Sequence, residues 1–145
     1  MRAFRYSQHI GRPREEVFAF MMDFSTAPRW RNMVRRLEVV GGGPVHQGAT
    51  LLMTMDVLGK TLQVESEVWL YEPPRRIGQR NTRSGVTGVF EYVLEPDDTG
   101  TTILFTCDIR PHGFMWLTLP WLLRSTRLRF CDQLSALKRA IENKD

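Results

Sequence analysis

The stretch "ATLLMTMDVLGKTLQVESEVWLYEPP", Ala49 to Pro74, decides the fold class. On both sides of Leu58-Gly59-Lys60 every second position carries an apolar residue, Ser66 excepted. Leu51, Met53, Met55 and Val57 come first; Leu62, Val64, Ser66, Val68 and Leu70 follow, with Gln63, Glu65 and Glu67 opposite. Period two marks an extended strand with one dry and one wet face, and the short glycine-containing link folds the pair into a hairpin. Pro73-Pro74 ends the second strand.

The same pattern continues in both directions. "VRRLEVVGGG" (Val34 to Gly43) is a strand running into a glycine turn, and "RRIGQRNTR", "VTGVFEYVLEP" and "TTILFTCDIRP" supply three more, separated by Ser84-Gly85 and the turn from Asp97 to Gly100. Six consecutive strands joined by short turns run antiparallel, because parallel neighbours need long crossovers. "RAFRYSQHI" (Arg2 to Ile10) is a further strand at the start, ended by Gly11 and Pro13.

Two segments change period. In "RPREEVFAFMMDF" (Arg12 to Phe24), Pro13 suits a first turn, Glu15 and Glu16 complement the positive end of the helix dipole, and Val17, Phe18, Phe20, Met21 and Phe24 recur at helical spacing. Ser25 or Thr26 can cap a short second helix through "APRWRNM". From Gly113 to Asn143 the chain is mostly helix. Pro120 fits only its first turn, so the long helix starts near Leu119 with Thr118 as a candidate cap. One stripe is Leu123, Phe130, Leu134, Leu137 and Ile141; beside it run Leu117, Trp121, Leu128 and Cys131.

The order is therefore β-α-α-β-β-β-β-β-β-α, an α+β fold. A twisted sheet of this size curls, and the long C-terminal helix is the element able to cover its concave dry face. The 145 residues fit a single domain over 1–145, and 42% hydrophobic with 25% charged residues is an ordinary globular balance.

Several function classes find no support in the sequence. The net charge of +4 carries no dense basic run, although seventeen of the twenty basic residues are arginine, and no nucleic-acid-binding motif occurs. His9, His46 and His112 are scattered and read as surface residues, so no metal is expected. The serines lack a nucleophile-elbow context, and "GGG" at Gly41 to Gly43 is a turn and not a phosphate loop. No cofactor is implied. Cys107 and Cys131 read as buried free thiols. The start lacks a signal peptide's apolar core, and "GFMWLTLPWLL" is shorter than the ~20 residues of a membrane span, so a cytoplasmic protein is expected.

"PREEVFAFMMDFSTAPRW", "VFEYVLEPDDTGTTILFT" and "LSALKRAIEN", in this order and spacing, resemble the START-like (SRPBCC) superfamily of polyketide cyclase/dehydrase and lipid-transport proteins. The resemblance covers nearly the whole chain. It implies a helix-grip fold, a curved antiparallel sheet wrapped around the long C-terminal helix with two short helices after the first strand, and a hydrophobic cavity between sheet and helix. It implies no particular reaction, since such families include carriers, sensors and cyclases. It also implies that the short helices close one end of the grip, with Phe20, Phe24 and Trp30 inward and Arg29 and Arg31 at the rim.

On this reading a small hydrophobic ligand, a lipid or polyketide, meets Trp30, then Met53, Met55, Val64, Ser66 and Val68 of the central hairpin, Phe90, Phe105 and Cys107 of the last strands, and Trp121 of the helix. The alternative is that Phe90, Phe105, Trp121 and the methionines fill the interior themselves. The fifth strand has two registers. With Ile77 inward, Gln79 and Asn81 join Ser66 and Tyr92 as hydrogen-bond partners; with Arg80 inward, a buried guanidinium needs a carboxylate or an anionic ligand head. A third option is an amide-rich strand bonded at the mouth. For a metal-free cyclase or aromatase reaction on a ketone, Tyr92 is the one candidate catalytic residue, because Asp56, Glu65 and Asp108 fall on the wet face; an ordinary pKa near ~10 suits it to donating a hydrogen bond rather than to acting as a base. Carriage is therefore favoured over catalysis. Phe114, Trp116 and Trp121 beside Arg124, Arg127 and Arg129 could also touch an anionic membrane surface transiently.

Overall fold

A computed structural model describes residues 2–31, 33–83, 86–113, 117 and 119–143; the side chains at 2–4, 57, 82, 83, 86, 111, 119–123 and 125–130 lie outside that description. In chain order the elements are β1 (Arg2–Ile10), α1 (Arg14–Met22), a 3-10 turn (Phe24–Thr26), α2 (Ala27–Trp30), β2 (Val34–Val39), β3 (Thr50–Val57), β4 (Lys60–Glu72), β5 (Arg76–Arg83), β6 (Val86–Asp97), β7 (Gly100–Pro111) and α3 (Leu119–Glu142). The seven strands form one antiparallel sheet in the order β1-β7-β6-β5-β4-β3-β2. β1 and β2 are thus opposite edges, and α1 and α2 carry the chain from one edge to the other. This is the helix-grip arrangement, with α3 meeting β1, β7 and α2.

The β3–β4 hairpin pairs from Thr50↔Glu67 to Val57↔Lys60. Its turn is Leu58-Gly59, both at positive φ (51° and 77°), a geometry whose twist matches the flanking strands. The dry face holds as far as Val68. There a register shift between Val68 and Leu70 inserts an extra residue opposite β5, so Tyr71 pairs with Ile77 and packs on Phe18, ring centroids 6.0 Å apart. Leu70 therefore leaves the dry face where simple alternation had placed it.

The fifth strand adopts the Ile77-inward register. Ile77 and Gln79 are buried, whereas Arg80 is exposed and pairs with Glu67 across the strands. Other arginines on the outer surface likewise sit against acids: Arg35 with Asp56 at 2.8 Å and Arg110 with Asp108 at 2.9 Å. Such pairing offsets part of the positive charge on that surface.

Thr26 occupies the N-cap position of α2, one of the two expected there, although its side chain makes no capping bond; the 3-10 turn before it is capped by Asp23. Its carboxylate accepts from the Ser25 N–H at 3.2 Å and from the Ser25 hydroxyl at 2.6 Å, while the Thr26 hydroxyl donates to the Phe20 and Asp23 carbonyls. α2 ends at Trp30, and Arg31 is already extended (φ −86°, ψ 124°). At the far end of α3, Leu134, Leu137 and Ile141 are fully buried; of the second stripe Cys131 is only half-buried and Leu117, ahead of the helix, is 66% exposed, while the side chains of Trp121, Leu123, Leu128 and Phe130 lie outside the described residues. Glu142 ties α3 to the β1–α1 corner by accepting from the Gly11 N–H at 2.9 Å and from Lys138 at 2.8 Å, and Lys138 also donates to the His9 carbonyl.

At the β4–β5 turn Glu72 accepts from both Arg75 and Arg76. The bonds from Arg76, then Arg75, lower its pKa from 4.5 to about 2. Bonds from Thr99 lower that of Asp97, and the Gly11 N–H lowers that of Glu142. A carboxyl whose folded pKa is depressed stabilises above its unfolded pKa and loses that contribution as pH falls through the folded value. For Glu72 the window runs from about 4.5 down to about 2. Glu72→Gln should melt below the wild type at neutral pH, and the gap should close across that window; a gap constant with pH would show that the charge plays no part.

Candidate binding cavity

Cross-strand register lines the inner face with rows of side chains. One row runs from Ile77 through Tyr92 to Phe105; the next contains Val68, Gln79, Phe90 and Cys107. Towards the other edge, Ser66 pairs with Leu51 and Val64 with Met53. The Phe105 ring lies 4.9 Å from that of Tyr92 and 6.1 Å from that of Phe90, centroid to centroid. Gly88, opposite Asn81, leaves space for the Phe90 ring, since a Cβ there would meet that ring at 2.7 Å.

Coverage of this face is uneven. Trp30, Val68, Tyr92, Phe105 and Cys107 are fully buried, whereas Met53, Met55, Val64, Asn81 and Phe90 keep part of their surface free of protein. The dry face is thus sealed around Val68, Tyr92, Phe105 and Cys107 and less tightly filled at Met53, Met55 and Val64 of the β3–β4 hairpin and at Asn81 and Phe90. Two methionines at that incompletely filled part give an unbranched, adaptable lining. Trp121 was also expected here; its side chain lies outside the described residues, as do Phe114 and Trp116.

A few polar groups interrupt the apolar face. Gln79 Nε2 donates to Ser66 Oγ at 3.3 Å, and Gln133 Nε2, from α3, donates to the Tyr92 hydroxyl at 3.1 Å. Gln133 was not foreseen. It sits four residues before Leu137 on the buried stripe, and a lone amide inside an apolar stripe was the available signal.

Arg31 is the larger departure. Expected at the rim with Arg29, it is only 8% exposed, while Arg29 is exposed and lies over the Phe20 ring, Cζ to centroid 5.5 Å. Phe20 and Trp30 are buried as expected, and Phe24 is half-buried. The extended backbone after α2 turns the Arg31 side chain back over the Trp30 ring, Cζ to centroid 4.3 Å. Burial lowers its pKa, and coupling to Tyr92 raises it in part, so guanidinium and phenol share one interior.

No carboxylate among the described residues joins these groups on the inner face. Asp56 and Glu65 are exposed, and Asp108 points to the outer face with Arg110. His9, His46 and His112 lie at the surface, and no cluster of three metal-ligating side chains occurs among the described residues. What remains is a set of hydrogen-bond donors around a largely apolar surface, suited to orienting a ligand's oxygen.

Comparison with known proteins agrees with this architecture. TTHA0849 from Thermus thermophilus superposes with a TM-score of 0.76 at 17% identity, covering 99% of both chains. A START superfamily protein from Mycobacterium smegmatis gives 0.75 at 12% identity, again over 99% of each. The di-domain ARO/CYC BexL from the BE-7585A biosynthetic pathway gives 0.83 at 18% identity, with 98% of this chain on 47% of that one. At such identities these likenesses establish the fold. None of the curated proteins matches the sequence. No helix among the described residues is long and apolar enough to cross a membrane. The family model described as polyketide cyclase / dehydrase and lipid transport matches residues 1–142, and the chain belongs to that family.

Proposed function

We propose that the chain, acting as one domain over residues 1–145, binds and carries a small hydrophobic molecule between its sheet and α3, without cofactor or metal, in the cytoplasm. The observation that carries this reading is the incompletely covered apolar surface of Met53, Met55 and Val64 beside two interior hydrogen-bonded pairs, Ser66–Gln79 and Tyr92–Gln133. Covering about 300 Å² of apolar ligand surface at ~25 cal/mol/Å² yields about 7 kcal/mol before association costs, enough for useful affinity without a reaction. The family's description, which names lipid transport, supports it.

Native mass spectrometry of protein purified without detergent tests the proposal. A bound mass removable by organic solvent is expected. Protein that is empty after purification and takes up no lipid or aromatic probe would overturn it.

A second reading, a cyclase or aromatase acting on a hydrophobic ketone, is favoured by one observation, the buried Tyr92 hydroxyl held by Gln133. BexL, described as an ARO/CYC, shares the fold. Tyr92→Phe separates the two. Carriage predicts that a ligand is still bound, with a stability loss of about 0.5–1.5 kcal/mol for one hydrogen bond; cyclisation predicts that turnover stops.

A further inference from the structure

Charge in this molecule is arranged against the usual preference. The partly exposed arginines 12, 35, 36, 75, 76, 80 and 110 each have a carboxylate within 4.0 Å, whereas the buried Arg31 has none among the described residues. A guanidinium does not lose its proton under ordinary conditions, so burial does not neutralise it. Stacking on Trp30 satisfies the face of the group but not the N–H bonds in its plane. Arg31 Nε has no acceptor, and neither does the adjacent Trp30 Nε1, although both atoms are shielded from solvent. Two neighbouring buried donors thus await an acceptor, and one of them is cationic.

We propose that Arg31, with the Trp30 indole beside it, is the counter-ion for a carboxylate carried at one end of an otherwise apolar ligand. This rests on the cavity reading above and narrows its substrate class from hydrophobic molecules to amphipathic monocarboxylic acids. A single guanidinium balances one negative charge, which suits a carboxylate better than a doubly ionised phosphate monoester. The planar fork, held by its stacking on Trp30, presents its N–H groups in one plane, as a carboxylate requires. The Tyr92 hydroxyl and the Gln133 amide, hydrogen-bonded to each other, add polar groups to the same interior. The half-buried surface of Met53, Met55 and Val64 receives the apolar body.

The test is calorimetric titration of delipidated full-length protein with laurate and with dodecanol, matched in chain length and kept below micelle formation, at pH 8 where the acid is ionised. The wild type should bind laurate about 10- to 100-fold more tightly than dodecanol, the span expected for charge-assisted hydrogen bonds in a sheltered site. Arg31→Gln should remove that preference while leaving the dodecanol affinity within about twofold, and Arg31→Lys should retain part of it. Equal wild-type affinity for the two probes would overturn the acid assignment and leave the cavity reading standing. Binding of neither would overturn both. A laurate preference that survives in folded Arg31→Gln would remove Arg31 from the site; should that variant fail to fold, the wild-type comparison together with Arg31→Lys decides.

Discussion

Phe105→Ala is expected to destabilise the protein by about 3–5 kcal/mol, lowering the melting temperature by roughly 10–15 °C. Phe105 is fully buried in the middle of β7, opposite Tyr92 on one side and Tyr6 on the other, with its ring against those of Tyr92 and Phe90. Truncation removes the transfer energy of the ring and leaves a hole that a rigid sheet cannot close. It also withdraws the surface that aligns Tyr92 towards Gln133. Phe105→Leu, which keeps most of the volume, should lose clearly less. Thermal or chemical melts of the two variants measure the difference. A loss under about 1 kcal/mol for the alanine variant would mean that the ring borders open space and contributes little to packing.

The second large effect has the opposite sign. Arg31→Met should stabilise the empty protein by about 1–4 kcal/mol, because a buried charge lacking a carboxylate gives way to an apolar chain of similar length. The gain should be accompanied by loss of the laurate preference, so that stability and selectivity move in opposite directions at one residue. Saturating laurate should narrow the gap, since it stabilises the wild type by mass action and the variant much less. Were Arg31→Met less stable than the wild type without ligand, the guanidinium would already be satisfied by the protein, and the proposed role would fail.

The sheet was legible because its signal is repeated. Period two recurs through Leu51, Met53 and Met55 and again through Val64, Ser66 and Val68, and short turns leave antiparallel pairing as the one outcome. α3 was legible for a similar reason, with Pro120 fixing its start and Leu134, Leu137 and Ile141 its buried stripe. Expectation and structure part where one residue changes the count or the direction, and a choice left open there closes only in the fold. The extra residue between Val68 and Leu70 moves Leu70 to the other face, and no composition rule marks a bulge at Trp69. The choice between Gln79 and Arg80 depended on register across that bulge, and the Glu67–Arg80 pair that accompanies it is a tertiary fact. Arg31 became interior because α2 stops at Trp30, short of the expected run through Met33, and the backbone turns extended, which local propensity does not encode. Gln133 stands in the sequence as an amide within an apolar arc, which resembles an ordinary surface residue until its partner on another element is known.

The strand order also governs the sequence of events during synthesis. β1 is made first, yet its hydrogen-bonding neighbour is β7, with Arg2 set against Ile109. The meander from β2 to β7 can zip up through successive local hairpins, while the earliest segment waits until most of the polypeptide has left the ribosome. Throughout that interval the greasy residues of α1 have no finished surface to rest on, so the nascent chain is most exposed to aggregation before its last strand emerges.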